Sequence, residues 1–385
     1  MGADGPGKTS VGKRKTLKRR GAVARGFASA QLLASTCAVL LATSSAVPAR
    51  QLPHAGSRDP AAHLATPGAG PFAVGEIVTT LTDNSRRVTL PGRRRVPRRL
   101  VTVIRYPAVG EPSQTDEPGA PSARVDGPFP LIVFAHGFRA TPDSYSRLLR
   151  AWAQAGYVVV APVFPLTNTR APGGADESDL VNQPKDMSFV ISRMLARSAT
   201  EHGVLAGLIN PNEIAVAGHS DGGSTALAVA YNRLYVDHRI RATAILAGAE
   251  IPGVYGYDFP APSPPLLAVQ GTADTSNIPA STRIYFRIAP APKFLLSLLG
   301  AGHGPPYINE QPQLGIVEQV TIAFFDAYLK GVSGSLSRMW RAGDISRVAT
   351  LTGQPPLPAK PQQEIKSVSI RDGASWMPSP WPTRG

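Results

Sequence analysis

The chain has 385 residues, 43% of them hydrophobic, with 40 Lys plus Arg against 26 Asp plus Glu, a formal net charge of +14 and a single cysteine. That apolar content supports one large packed domain or two small ones and excludes a disordered or collagen-like chain. The charge does not by itself mark a polyanion binder: residues 1–25 hold eight basic residues and one acidic, so +7 of the excess lies in the first 25 positions.

In chain order, this basic segment is followed by 24 uncharged residues, Gly26 to Ala49, with Leu32, Leu33, Val39, Leu40 and Leu41 at the centre and Val47 and Ala49 at a small-residue exit. The pattern is that of a secretory signal peptide over residues 1–49. An uncleaved anchor is the alternative, against which the Ala, Ser and Thr content weighs. In either case the basic flank stays inside and the remainder is exported, secreted or held at the cell envelope. Arg19-Arg20 hints at a twin-arginine route, but Gly21 and Ala22 stand where apolar residues belong. Thr36 before Cys37 argues against a lipidated cysteine, and cleavage after Ala49 would leave a mature chain without disulfide or thiolate. Gly2, Gly7, Lys8 and Thr9 fit G-x-x-x-x-G-K-[ST]. No strand can precede residue 2, so a phosphate-binding loop is rejected there.

Residues 50–70, rich in Ala, Pro, Gly and His, read as a linker. Glu76–Leu81 and Arg99–Tyr106 read as strands joined by a basic run of seven arginines in fourteen residues, Arg86 to Arg99. Without an aromatic residue for stacking, the run reads as a solvated hairpin and not a nucleic-acid site; adhesion to an anionic cell envelope is the functional alternative. Residues 107–128 form a polar loop. Beyond it, apolar runs alternate with helical spacings: Leu131–Ala135, a helix carrying Tyr145 to Trp152 and closed by Gly156, and Tyr157–Ala161. A helix near Asp186–Ala199, Ile214–Ala217, a helix near Gly222–Tyr231, Ala242–Ala247 and Leu266–Val269 follow. The series ends with a helix around Thr282–Ile288, Phe294–Leu299, and a last helix through Val317, Val320, Phe324, Phe325 and Tyr328. This alternation predicts an α/β fold, a mostly parallel sheet with helices on both faces, over residues 71–345. Residues 346–385 read as a Pro-rich irregular tail, with Lys366–Ile370 the one segment excepted.

Gly218-His219-Ser220-Asp221-Gly222 matches G-x-S-x-G, a weak pattern alone. Its context strengthens it: a buried-strand run, Ile214–Ala217, precedes it and a small-residue helix start, Gly223–Ala228, follows. A strand turning that sharply into a helix strains the central serine, and the flanking glycines let the two elements approach. A serine hydroxyl needs a base, and the base an orienting carboxylate. Pro265–Asp274 and Phe294–His303 each read as a strand running into a turn, which places Asp274 and His303 just past strand ends. Taken singly, Asp274 also reads as a turn residue and His303 as a loop histidine; together with Ser220 they make a triad in the order Ser, Asp, His. Two amides would bind the oxyanion of an acyl transfer, that of Asp221 after the nucleophile and that of Phe138 in the loop behind Leu131–Ala135; simple packing is the other reading of Phe138. The Asp221 carboxyl receives no catalytic role, its place in the first helical turn being favoured by the macrodipole.

Through PLIVFAHGF (130–138), AGYVVVAPVFP (155–165), IAVAGHSDGG (214–223), QGTAD (270–274) and GAGH (300–303) the sequence resembles the α/β-hydrolase superfamily. Within it, over about residues 99–330, it is similar to the chlorophyllase-like, dienelactone-hydrolase-like and cutinase-type polyester hydrolase branch of actinobacteria. The resemblance implies the α/β-hydrolase fold and a serine hydrolase of carboxylic esters that needs no cofactor and no metal. Asp221 stands where polyester hydrolases carry Met, which speaks against polyesters. Without a lid-sized insertion the acyl cleft is expected to be open, with Phe164, Tyr255 and Tyr257 as its lining. The sequence thus predicts an exported serine esterase acting on a small-molecule or lipid ester. An acyltransferase or serine peptidase on the same fold, or a non-enzymatic envelope-binding protein, are the competing readings.

Overall fold

The computed structural model describes residues 71–355. The expected signal peptide 1–49 with Cys37, the linker 50–70 and the segment Lys366–Ile370 lie outside the described residues.

The chain enters through a long hairpin, β1 (Ala73–Leu90) and β2 (Arg94–Ala108), turning at Pro91–Arg93, where Gly92 takes φ +77°. A two-residue strand β3 (Glu117–Pro118) sits beside β1. Then follow β4 (Phe129–Ala135), α1 (Ser146–Gln154), β5 (Val158–Val163), α2 (Gln183–Ser198), β6 (Ile209–His219) and α3 (Asp221–Tyr231). The remainder comprises β7 (Ile240–Leu246), β8 (Leu266–Gly271), α4 (Pro279–Ile288), β9 (Lys293–Leu298), α5 (Gln313–Tyr328), α6 (Ser335–Gly343) and β10 (Ala349–Gln354).

All ten strands make one sheet in the order β10-β9-β8-β7-β6-β4-β5-β2-β1-β3. The six strands from β9 to β5 run parallel, and β2 and β10 flank them antiparallel. The apolar runs of the parallel strands have no polar alternation because both faces are covered. Along β4, Ile132 and Phe134 join the core with Trp152 of α1 and Phe324 and Phe325 of α5; Leu131 and Val133 join the opposite core with Met187 of α2 and Leu227 of α3. This is the period of two expected of a strand between two helical layers. Because β4 lies between β5 and β6, the chain reverses its direction of travel across the sheet there. At such a reversal the loops leaving neighbouring strands diverge and leave a crevice at the strands' C-terminal edge.

Three segments differ from expectation. The basic run, expected as a solvated hairpin, lies mostly within β1 and β2 with Arg87, Arg94, Arg95 and Arg99 exposed, but Arg98 is drawn fully into the interior. Its guanidinium binds Asp179 through Nη1 and Nη2 at 2.8 Å each and Asp186 through Nε at 2.7 Å and Nη2 at 2.6 Å. The domain also continues past residue 345. Ala349–Gln354 pairs with β9 and buries Ala349 and Leu351, so what read as the start of an irregular tail is an edge strand. Finally, α6 buries Met339 and brings Gly343 against Leu351 and Val320, a helix too short and too sparsely apolar to register as a periodicity.

Candidate active site

The turn from β6 into α3 holds Ser220 at φ 57°, ψ −125°, in the positive-φ region that residues other than glycine avoid. What keeps it there is close approach. A Cβ at Gly218 would collide with the backbone carbonyl of Gly222, and one at Gly222 with that of Ala135, so β6, α3 and β4 meet at these two glycines.

The other two residues arrive from the ends of β8 and β9. His303 Nε2 lies 2.8 Å from Ser220 Oγ, and His303 Nδ1 lies 2.8 Å from Asp274 Oδ2. Asp274 is 3% exposed and is held from four directions: its Oδ1 accepts the amides of Ser276 and Asn277 at 2.9 Å each, and its Oδ2 accepts Gln270 Nε2 at 3.1 Å besides the imidazole. An ionised carboxylate only accepts, so the His303 proton belongs on Nδ1, leaving Nε2 to take the serine proton. Gln270 is itself anchored by Thr282 Oγ1 at 2.6 Å. The sequence reasoning did not single out Gln270, although it opens the same QGTAD run.

In the loop after β4, Gly137 packs against the nucleophile: a Cβ there would stand 3.2 Å from Ser220 Cβ and 3.2 Å from Tyr145 Oη. His136, fully buried, takes the Phe164 amide on Nε2 at 3.1 Å and donates from Nδ1 to the Gly137 carbonyl at 2.8 Å. Burial pushes its pKa down to about 4, the Gly137 carbonyl opposing. The carbonyl of the Gly137–Phe138 peptide is thereby engaged, while the Phe138 amide donates to no other group among the described residues. The Asp221 amide belongs to the first turn of α3, where N–H groups lack an intrahelical acceptor. The sequence expected these two amides as oxyanion donors; Asp221 directly follows Ser220, and the loop of Phe138 meets Ser220 at Gly137.

The expected aromatic lining is not assembled. Phe164 is fully buried, its ring 5.0 Å from that of His136, because it follows directly on the buried strand β5. Tyr255 is a core residue whose hydroxyl meets Thr225 Oγ1 at 2.8 Å. Tyr257 packs on Phe259 and Tyr285, at 5.4 and 5.9 Å between rings. A cavity of about 730 Å³ lies elsewhere, between α4 and the β9–β10 edge, lined by Arg283, Phe286, Lys293 and Leu295 and by none of the triad. Among the described residues no group of three or more His, Cys, Asp or Glu side chains is placed to hold a metal ion.

Comparison with known proteins agrees with the fold. A family profile described as Chlorophyllase matches residues 119–280, a span that includes Phe138, Ser220 and Asp274. The fold is that of an α/β-hydrolase. The chain is 32% identical over 111 residues to chlorophyllase type 0 of Chenopodium album, covering 28% of the chain and 30% of that protein. It is 28% identical over 189 residues to chlorophyllase-1 of Arabidopsis thaliana, 49% of the chain and 50% of the relative, and 24% identical over 155 residues to chlorophyllase-2 of the same plant, 40% and 45%. The matches span half or less of the length of these curated relatives.

Two residues beside this site escaped the sequence reading although both lie inside segments it singled out. His219 is the variable residue of G-x-S-x-G, and Tyr145 opens the first helical spacing; their rings stand 5.6 Å apart. The strand period was a usable signal for His219, since Ala215 and Ala217 of β6 face the α1 side and a residue two further on faces it too.

Proposed function

We propose that the protein is an exported serine hydrolase of carboxylic esters. The observation that carries the proposal is the continuous hydrogen-bonded line Asp274–His303–Ser220, with 2.8 Å at both links, ending on a serine held in a strained turn. In this reading Ser220 Oγ attacks the ester carbonyl while His303 Nε2 takes its proton, and the Phe138 and Asp221 amides receive the oxyanion. As the tetrahedral adduct collapses, Nε2 returns that proton to the departing alcohol and an acyl-Ser220 remains. Water then attacks the acyl carbonyl, again giving its proton to Nε2, and the acid leaves as Oγ recovers the proton. Asp274 fixes the imidazole tautomer throughout. The similarity to chlorophyllases makes chlorophyll esters one substrate class for testing, beside simple alkyl esters. Attachment to an anionic envelope would rest on the exposed Arg87, Arg94, Arg95 and Arg99.

Hydrolysis of p-nitrophenyl esters from acetate to palmitate tests the proposal, with Ser220→Ala alongside. Loss of kcat by about 10³-fold or more is expected in the variant. Equal turnover by both proteins removes Ser220 from the chemistry.

A further inference from the structure

His219 is buried among Tyr145, His303 and Tyr307, its ring 5.6, 4.9 and 4.8 Å from theirs, and both its nitrogens are engaged. Nε2 lies 2.7 Å from the backbone carbonyl oxygen of His303. A carbonyl only accepts, so Nε2 carries the proton and Nδ1 is the acceptor. Nδ1 lies 2.9 Å from Tyr145 Oη, which must donate to it, and Tyr145 Oη accepts the Gly137 amide at 3.3 Å. The result is one directed chain in which only one tautomer of His219 satisfies every partner: Gly137 N–H to Tyr145 Oη, Tyr145 O–H to His219 Nδ1, His219 Nε2–H to the His303 carbonyl. Burial, with the nearby His303 adding to it, holds the His219 pKa down at about 3, so the ring stays neutral at ordinary pH.

The two ends of this chain are the backbone of the base-bearing turn and the loop after β4. His303 sits in the run Gly300-Ala301-Gly302-His303-Gly304, where Gly300 has φ +71° and a Cβ at Gly302 would meet nothing within 4 Å. At the other end, the Gly137 peptide leads directly into the Phe138 amide. The ring of His303 is oriented by Asp274, and its backbone carbonyl is linked to the β4 loop by the hydrogen bonds through His219 and Tyr145.

We propose that His219 and Tyr145 are positioning residues that hold the base-bearing turn at His303 in register with the oxyanion loop at Gly137–Phe138. The inference rests on the esterase reading above. Misplacement of a reacting group by about 1 Å costs up to 10²-fold in rate, and groups engaged only in the transition state affect kcat more than KM.

The test uses the full chain with p-nitrophenyl butyrate as probe and compares wild type with His219→Leu, His219→Gln, Tyr145→Phe and the Tyr145→Phe/His219→Leu pair. Wild-type hydrolysis that disappears in Ser220→Ala must be present first; its absence refutes the esterase reading and the positioning role with it. With it present, His219→Leu and Tyr145→Phe are expected to lower kcat by about 10–100-fold with KM within about threefold. His219→Gln, whose amide N–H can reach the His303 carbonyl, is expected to regain most of that loss, and the double variant to be no slower than His219→Leu. The proposal is overturned by a raised KM at unchanged kcat, by additive losses in the pair, or by a folded His219→Gln as slow as His219→Leu. Should His219→Leu fail to fold, Tyr145→Phe and His219→Gln decide on their own: a kcat within twofold of wild type in Tyr145→Phe overturns it.

Discussion

Asp221, one residue past the nucleophile, has its Oδ2 buried without a hydrogen-bond partner. Its place at the start of α3 favours a negative charge by about 0.3–1 kcal/mol, yet burial, with the charge of Glu177 adding and that of His303 opposing, pushes its pKa up from 3.8 to about 6. Desolvation therefore outweighs the helix dipole. A carboxyl whose folded pKa lies above its unfolded one contributes stability that is complete below pH 3.8 and lost as pH rises through 6. Asp221→Asn is accordingly expected to raise the thermal unfolding midpoint at pH 8 by about 3–6 °C and to leave it unchanged near pH 3.5. Thermal scans at the two pH values check this, and equal midpoints for both proteins at pH 8 would contradict it. At this scale the sequence was most legible where backbone geometry dictates the residue. Ser220, Asp274 and His303 each follow an apolar run and a turn, and the two glycines around Ser220 are demanded by contacts with Ala135 and Gly222. Phe164, Tyr255 and Tyr257 were misread because an aromatic residue in a loop serves the core as readily as a cleft, and only packing decides which.

Among the elements, the parallel strands were legible because a run such as Leu131–Ala135, apolar at every position, has no other home than a sheet covered on both faces. The hairpin was legible as two strands but not in its length, since a charged strand carries no apolar alternation. Arg98 shows why: its charge is neutralised inside the protein by Asp179 and Asp186, more than 80 residues away in sequence. Removing one partner from a buried ionic cluster leaves the others uncompensated, at a cost of about 3–5 kcal/mol. Arg98→Met is expected to lose stability on that scale in urea unfolding at pH 7. A loss below about 1 kcal/mol would mean that water reaches the two carboxylates. The edge strand β10 was hidden for a different reason: six residues ending in Gly353 and Gln354 supply only Ala349 and Leu351 to the core.

For the whole molecule, the alternation of strands and helices was enough for the α/β class, whereas strand order was not, because β4 pairs with β5 on one side and with β6 on the other through contacts no local pattern encodes. That order brings the loop of Gly137 and Phe138 against Ser220, so the placement proposed for the oxyanion donors follows from topology more than from either loop alone. The proposed export belongs to this scale too. N-terminal sequencing of the protein recovered from outside the cytoplasm is expected to begin near residue 50; a cytoplasmic chain retaining residues 1–49 would contradict it. The central claim, that Ser220 carries the acyl group in ester hydrolysis, is tested most directly by rapid mixing with excess p-nitrophenyl acetate followed by peptide mass mapping. The account predicts a burst of p-nitrophenol equal to the enzyme concentration or, where deacylation is fast, an acetyl group trapped by acid quenching, in both cases on the peptide containing Ser220 and absent from Ser220→Ala. Turnover with the acetyl group on another residue, or on none, would contradict it.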